Sequence, residues 1–588
     1  AQLYAEMKEF FPENAVEYFV SHFDFFIPES YNPVSNQFID KDSIINEELE
    51  KLRLSCITSL MSRSDTIVIA SISCIFGAGN PEQMVKNCIN IYKNQVLSQR
   101  DFLLSLANSQ YKRGETQDQL KPGQYIAIGD TIRIRLAHAM NVGLSVQFWG
   151  DEIESICTFN LETGKSIDLC EQFKIWPANM YVTEQELINN AIPQIEFDLK
   201  SRCEWYEKQG RVLEMQRLKE RTEYDLEMLE EIGHCKGIEM YSRYLDGRQP
   251  GIRPFCLLDY LPDDGLVLID ESHATIPQFR SMSSANSKIK HNLVEYGFRL
   301  PSAFDNRPLR FDEVQDLLPQ TIYVSATPGD YELNLVEGDV VEQIVRPTGL
   351  LDPEIEVHET KYQIDKIFDI CTNSVNNKER ILITCLTIRM AEELTDFLLK
   401  NSFRATCIHS NITTVQAVSA IRHFRLGDFD IIVGVNMLRE GLDMPEVGKV
   451  IILDADKEGF LRNYKSFIQT IGRAARNENG KAYLFADKMT GSMKMAIEET
   501  NRRRAIQIQY NKDHNIIPKT LYRDRETILR QTKVADKARA KKATIGEDEV
   551  KNFEQMTKKE LEQAMKKAAQ DQNFILAAQI RDMISDFK

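Results

Sequence analysis

The chain has 588 residues, a 43% hydrophobic fraction and a formal net charge of −16. That length exceeds a single core and predicts roughly three to five domains, and no run approaches the roughly 18 uninterrupted apolar residues that a membrane span needs. Eleven cysteines, spread from Cys56 to Cys407 without a Cys-x-x-Cys pair, fit neither a disulfide framework nor a zinc knuckle, so reduced thiols and a cytoplasmic protein are expected.

In chain order, the first residues from Ala1 read like the middle of a helix, with no starting Met and no basic-then-apolar leader, so the natural N-terminus is expected upstream. Next comes an aromatic cluster, His22-Phe23-Asp24-Phe25-Phe26-Ile27-Pro28-Glu29-Ser30-Tyr31, followed by Phe38 and broken by Pro28 and Pro33. A buried strand could hold so many rings, but Asp24, Pro28 and Glu29 fit poorly there. The other reading is a protruding hairpin, which the family resemblance named below places at about residues 19–46, whose rings Phe23, Phe25, Phe26, Tyr31 and Phe38 stack on nucleic-acid bases, each stack worth roughly 1–3 kcal/mol.

Short β-branched runs at Thr66–Ala70, Gly265–Ile269 and Thr321–Val324 alternate with helical stretches, and the rhythm returns at Arg380–Cys385, Asp430–Val433 and Lys449–Leu453. Such alternation predicts an α/β protein with two parallel-sheet domains, divided at Arg346-Pro347-Thr348-Gly349, with a nucleotide between them. The first domain takes residues 1–85 and 251–345, the second 346–530. Residues 86–180, with Gly-Asp turns at Gly129-Asp130 and Gly150-Asp151, read as an inserted β-rich module. Residues 181–250 read as a helical insertion, including a helix Arg211–Ile232 stopped by Gly233.

Residues 502–542 carry 13 Lys/Arg against 4 Asp/Glu, so a basic stretch hides within the acidic average. A solvated linker and a DNA contact are both open readings of it. After a basic and polar linker at 531–555, Thr557 opens a two-helix hairpin over 556–588 with Leu561, Met565 and Ala568 on one helix and Phe574, Ala577, Ile580, Arg581 and Ile584 on the other. So small a pair cannot hide its apolar stripe alone and should dock on a partner.

The chemistry lies in four separated stretches. Strand Gly265–Ile269 ends in Asp270 and Glu271, at the sheet edge where ligands bind in parallel folds. Asp270 is expected to hold Mg²⁺ on ATP and Glu271 to orient or deprotonate the attacking water; a solvated strand end is the plainer alternative. Ser325-Ala326-Thr327 follows a second strand, where Ser325 and Thr327 could bond the carboxylate pair and pass on the nucleotide state. The stretch Gly434 to Pro445, with Gly441 and Asp443, joins this coupling set. In Gln469-x-x-Gly472-Arg473-x-x-Arg476 the two arginines are expected on one helix face, within reach of one polyphosphate. Charge on a transferred phosphoryl group is what such arginines stabilise.

No Gly-x-x-x-x-Gly-Lys-Ser/Thr phosphate loop occurs in the chain, although the other motifs presuppose one. Thr163-Gly164-Lys165-Ser166 imitates its end, but Phe159 stands where its first glycine should be and no helix follows, so a hairpin turn is expected.

At these motifs the sequence resembles the UvrB family, one of the three components of the bacterial UvrABC excinuclease. The markers are Tyr241-Ser-Arg, Leu258-Asp259-Tyr260, Asp270-Glu-Ser-His273, Phe298-Arg-Leu-Pro-Ser302, Arg346-Pro-Thr-Gly-Leu-Leu-Asp-Pro353, Leu438-Arg-Glu-Gly-Leu-Asp443, Asp454 to Leu461 and Gln469 to Asn477. The resemblance implies two RecA-like superfamily 2 helicase domains and an ATPase that loads on damaged DNA with UvrA and recruits the nuclease UvrC. It implies that the hairpin threads between DNA strands, that the β module docks UvrA, and that the last helix pair, with Phe574 and Arg581, resembles the UVR motif that contacts UvrC. A homodimer is left open.

Three departures accompany it. The phosphate loop falls upstream of Ala1, so poor ATP binding is expected. The usual Tyr-Tyr-Asp-Tyr-Tyr reads His22-Phe23-Asp24-Phe25-Phe26, and Ile126 and Ile128 stand where the resemblance leads one to expect arginines. A generic superfamily 2 translocase and a non-catalytic DNA- and protein-binding scaffold are the competing readings.

Overall fold

In the computed structural model, residues 2–116, 120–139, 141–181, 185–233, 235–412, 414–435 and 444–520 are described. Gly441, Asp443, the linker 531–555 and the terminal helix pair with Phe574 and Arg581 lie outside them. The chain divides into two compact units, 2–340 and 341 onward.

In the first unit, strand Ala15–Phe19 pairs in parallel with Thr66–Ala70, and Leu266–Ile269 pairs in parallel with Gln320–Tyr323. Helix Glu47–Ser62 covers the first pair. Asn46 caps it by accepting from the Glu48 and Leu49 amides, and Leu54, Cys56 and Ile57 pack with Phe19. Between these pairs comes the β-rich module. A six-stranded sheet runs from Lys112–Arg113 to Ser166–Cys170, its five longer strands antiparallel, and a second ribbon joins Ile89–Tyr92 to Gln172–Ile175. One face buries Ile132, Ile134, Leu144, Val146, Phe148 and Ile156. As expected, Thr163-Gly164-Lys165 is the turn between two of its strands, with Gly164 at a φ of 67°.

The helical insertion consists of helices Gln185–Lys208 and Val212–Ile232, the second closed by left-handed Gly233. The aromatic segment folds as a hairpin: Phe23–Ile27 pairs with Asp42–Ile45, and Ser30–Asn32 with Gln37–Ile39.

The second unit holds a six-stranded all-parallel sheet in the order Glu354–His358, Lys481–Phe485, Val447–Ile452, Arg380–Thr384, Ile431–Gly434, Ala405–Ile408. Alternate residues feed two cores, Leu382, Ile432 and Val450 on one face and Ile381, Ile383 and Val433 on the other, as a sheet buried on both sides requires. Arg346-Pro-Thr-Gly349 belongs to this unit. The Arg346 amide donates to Gln507 at 2.6 Å, and Asn511 donates to the Gly349 carbonyl at 2.7 Å. The first three arginines of the basic stretch are engaged by partners within this unit. Arg502 pairs with Glu342 and Glu499, Arg503 with Glu499, and Arg504 donates to the Asp352 carbonyl.

Candidate functional site

Strand Leu266–Ile269 ends in the two carboxylates, Asp270 exposed and Glu271 half-buried. Glu271 adopts a φ of 45°, a left-handed conformation that costs free energy for a residue with a side chain and tends to persist at functional sites. Its amide donates to the Asp270 carboxylate at 2.9 Å, and it opens the 24-residue helix Ser272–Glu295. The neighbouring strand delivers Ser325 and Thr327: the Ser272 amide donates to the Val324 carbonyl at 3.1 Å, tying the two strand ends together.

Ser325 approaches Glu271 across His273, to which the sequence assigned no role. His273 Nδ1 lies 2.7 Å from Ser325 Oγ and 3.5 Å from Glu271 Oε2, and Ser325 Oγ also accepts from the Thr327 amide at 3.0 Å. For Ser325, His273 stands between the hydroxyl and Glu271, its Nδ1 facing both. Thr327 is 2% exposed and its hydroxyl finds no hydrogen-bond partner among the described residues, a buried polar group at the sheet edge.

The far end of the same helix anchors the hairpin. Asn292 Nδ2 donates to the Tyr31 carbonyl at 3.0 Å. Tyr31 and Phe38 lie against Phe298, with ring centroids 4.7 and 4.6 Å away, and Arg217 covers that ring at 4.3 Å. Glu29 is buried in a network with Arg299 and Asp225; Tyr241 donates to Asp225 at 2.8 Å. Burial alone would lower the Arg299 pKa, but its hydrogen bonds to Glu29 and the charges of Glu29 and Asp225 carry it upward. Lys41 pairs with Glu239 at 2.5 Å and Lys236 pairs with Asp40. Below these pairs Lys290 is buried with its amine 2.8 Å from Met240 Sδ, and burial brings its pKa down to about 8. Phe25 and Phe26 are exposed, while Phe23 packs on His22 and Phe26.

In the second unit the arginine motif departs from expectation. Helix Tyr464–Ile471 ends before it, so half-buried Gln469 is helical, Arg473 sits in a 3-10 turn over Gly472–Ala474 and exposed Arg476 in the turn beyond. The two arginines therefore lie beyond the α-helix, in a 3-10 turn and the turn that follows it. The chain doubles back tightly across this segment at Gly480, where a Cβ would stand 2.1 Å from the Ala474 carbonyl oxygen. A Cβ on Gly472 would meet nothing within 4 Å. Arg462, not singled out in the sequence, is 4% exposed and braces the segment by donating to the carbonyls of Leu453 and Thr384.

Parallel sheets in two units, a carboxylate pair at one sheet edge and an arginine segment on the other unit define a superfamily 2 helicase-like protein, and residues 362–478 match the helicase conserved C-terminal domain. Further matches are to the UvrB interaction domain over 89–181, the UvrB third helical domain over 186–247, ultra-violet resistance protein B over 484–525 and the UvrB/uvrC motif over 557–588. The UvrABC system protein B of Cytophaga hutchinsonii is 50% identical over 596 residues, covering 99% of this chain and 88% of that protein. Its counterparts in Haemophilus influenzae and Bacteroides fragilis are each 48% identical, with 88% of their length covered. The chain belongs to the UvrB family. Among the described residues no helix is long and apolar enough to cross a membrane.

Proposed function

We propose that the chain acts as the damage-verifying, DNA-dependent ATPase of the UvrABC nucleotide excision repair system, with UvrA, UvrC and damaged DNA as partners. The observation that carries this is the Asp270–Glu271 pair at a parallel strand end, linked by His273 to Ser325. Bound Mg²⁺-ATP would supply the phosphoryl group and its charge. In this reading Asp270 would take the metal on the phosphates, Glu271 would orient the attacking water, and Arg473 and Arg476 would stabilise the phosphoryl charge. The donor set suits hydrolysis. The grip is missing, because no phosphate loop occurs in the 588 residues, and this chain by itself should bind ATP weakly.

In this reading exposed Phe25 and Phe26 stack on DNA bases, whereas Tyr31 and Phe38 hold the hairpin against Phe298. Residues 556–588 recruit UvrC. The test is DNA-stimulated ATP hydrolysis by this chain beside a form joined to a phosphate-binding loop. Turnover only in the joined form supports the assignment. If neither turns over while both fold and bind DNA, the second reading gains: a non-catalytic DNA- and protein-binding scaffold, which the missing loop favours.

A further inference from the structure

Helix Gly491–Asp513 buries Met493, Ala496 and Thr500 along its first half, but Gln507 and Asn511 in its second. Gln507 is wholly buried and Asn511 is 9% exposed, and at a spacing of four they share one face. Gln507 reads the main chain of Arg346 in both directions. Its Oε1 accepts from the Arg346 amide at 2.6 Å, and its Nε2 donates to the Arg346 carbonyl at 3.1 Å. The same Nε2 donates to Asn511 Oδ1 at 2.9 Å, and Asn511 Nδ2 donates to the Gly349 carbonyl at 2.7 Å. Gly349 is left-handed at a φ of 73°, and a Cβ on it would stand 2.7 Å from Ile516 and 3.2 Å from Asn511, so a glycine is needed where the chain passes this closely.

Every amide oxygen and nitrogen of the two side chains is engaged, so a slip of the segment along the helix would leave buried polar groups unpaired. An apolar pair would bury the same surface without choosing a register. On the other side of the boundary between the units, helix Asp330–Leu335 is closed by left-handed Glu337 and Gly338. The Gly338 amide donates to the Leu333 carbonyl at 2.9 Å and the Asp339 amide to the Val336 carbonyl at 2.8 Å. Between these two anchorages the main chain of Val340 and Val341 makes no hydrogen bond among the described residues, and Val341 is 97% exposed. The one ion pair of this stretch among the described residues, Glu342 with Arg502, lies at the surface and holds it weakly.

We propose that Gln507 and Asn511 are positioning residues that lock Arg346–Gly349 in register on this helix, and so confine any turning between the two units to residues 340–345. A short joint between two fixed ends passes on a rotation that a longer loose tether would absorb. The use of the joint rests on the proposed ATPase role, in which hydrolysis moves the units. Its location does not, because the two anchorages are made without nucleotide.

The test is hydrogen exchange read by mass spectrometry on the full chain without nucleotide, comparing the parent with Gln507→Leu and Asn511→Leu. In the parent, amides at 340–345 are expected to exchange at the rate of an open chain, and those at 346–351 about a hundredfold or more slower. In each variant, exchange at 346–351 should rise about tenfold or more while the sheet strands Arg380–Thr384 and Val447–Ile452 stay within about twofold of the parent. Exchange at 346–351 as fast as at 340–345 in the parent overturns the proposal, and this readout needs no variant to fold. Variants within about twofold of the parent at 346–351 overturn it as well. If the sheet strands speed up in step with the segment, the two amides serve the stability of the whole unit and the proposal fails. ATP turnover enters none of these readouts, so loss of the ATPase reading would leave the joint where it is, and loss of the joint would leave the ATPase reading untouched.

Discussion

Arg299 and Glu29, 270 residues apart in sequence, form a two-pronged ion pair with contacts of 2.9 and 3.1 Å, and both are almost wholly buried. Asp225 meets the same guanidinium at 3.0 Å, so the base of the hairpin, the helical insertion and the segment after the long helix share one cation. Glu29→Ala leaves that cation with half its compensation. Removing one partner of a buried pair costs about 3–5 kcal/mol. The expected result is a loss of that size in denaturant unfolding, with faster proteolysis within residues 22–46; stability within about 0.5 kcal/mol of the parent would show that the pair contributes little.

The rings of the hairpin divide by exposure, and so should their effects. Phe25→Ala and Phe26→Ala are expected to weaken single-stranded DNA binding by roughly 1–3 kcal/mol each while leaving the melting temperature nearly unchanged. Phe38→Ala, which empties a stacked contact with Phe298, should act first on stability. Fluorescence anisotropy and thermal melts on the three variants separate the classes, and equal DNA affinity in all of them counts against base stacking.

Lys290 gives the fold a pH dependence of calculable sign. Its folded pKa of about 8 lies below the ordinary 10.5, so between these values the unfolded chain holds more proton than the folded one. Stability contributed by this group therefore rises with pH across that window, by up to about 3 kcal/mol, and at neutral pH the buried charge is a cost. Lys290→Met is expected to be more stable than the parent near neutrality and to have a flatter melting curve from pH 8 upward. Parallel pH profiles for the two proteins would refute this.

In a form carrying a phosphate loop, Arg476→Ala should lower ATP turnover about a thousandfold or more with DNA affinity retained. His273→Ala should leave nucleotide affinity close to the parent's but weaken the stimulation of turnover by DNA, because it removes the group between Ser325 and Glu271. Steady-state kinetics with and without DNA read both, and unchanged stimulation in His273→Ala would dismiss that role.

The parallel strands, the turn at Gly164 and the helix stop at Gly233 were readable because local chemistry decides them: β-branched runs, a left-handed glycine, a change of periodicity. The carboxylate pair was readable for the same reason, as the polar end of an apolar strand. The arginine segment was not. Gly472-Arg-Ala-Ala-Arg476 is helical by propensity, whereas in the fold the chain doubles back there with Gly480 against the Ala474 carbonyl, a contact that propensity does not register. The sorting of hairpin rings also stayed hidden, since the partners of Tyr31 and Phe38 are Tyr296 and Phe298, set beside them only by the fold.

Helix Ser272–Glu295 has 24 residues, so at 1.5 Å per residue it spans about 36 Å. Its first residues follow directly on Asp270 and Glu271, and its last turns hold the Tyr31 carbonyl. The two ends therefore belong to one helix, with Pro277 in its second turn and no loop between Glu271 and the contact with the hairpin. Under the proposed function, a DNA strand pressing on the hairpin would bear on the helix that begins at Glu271.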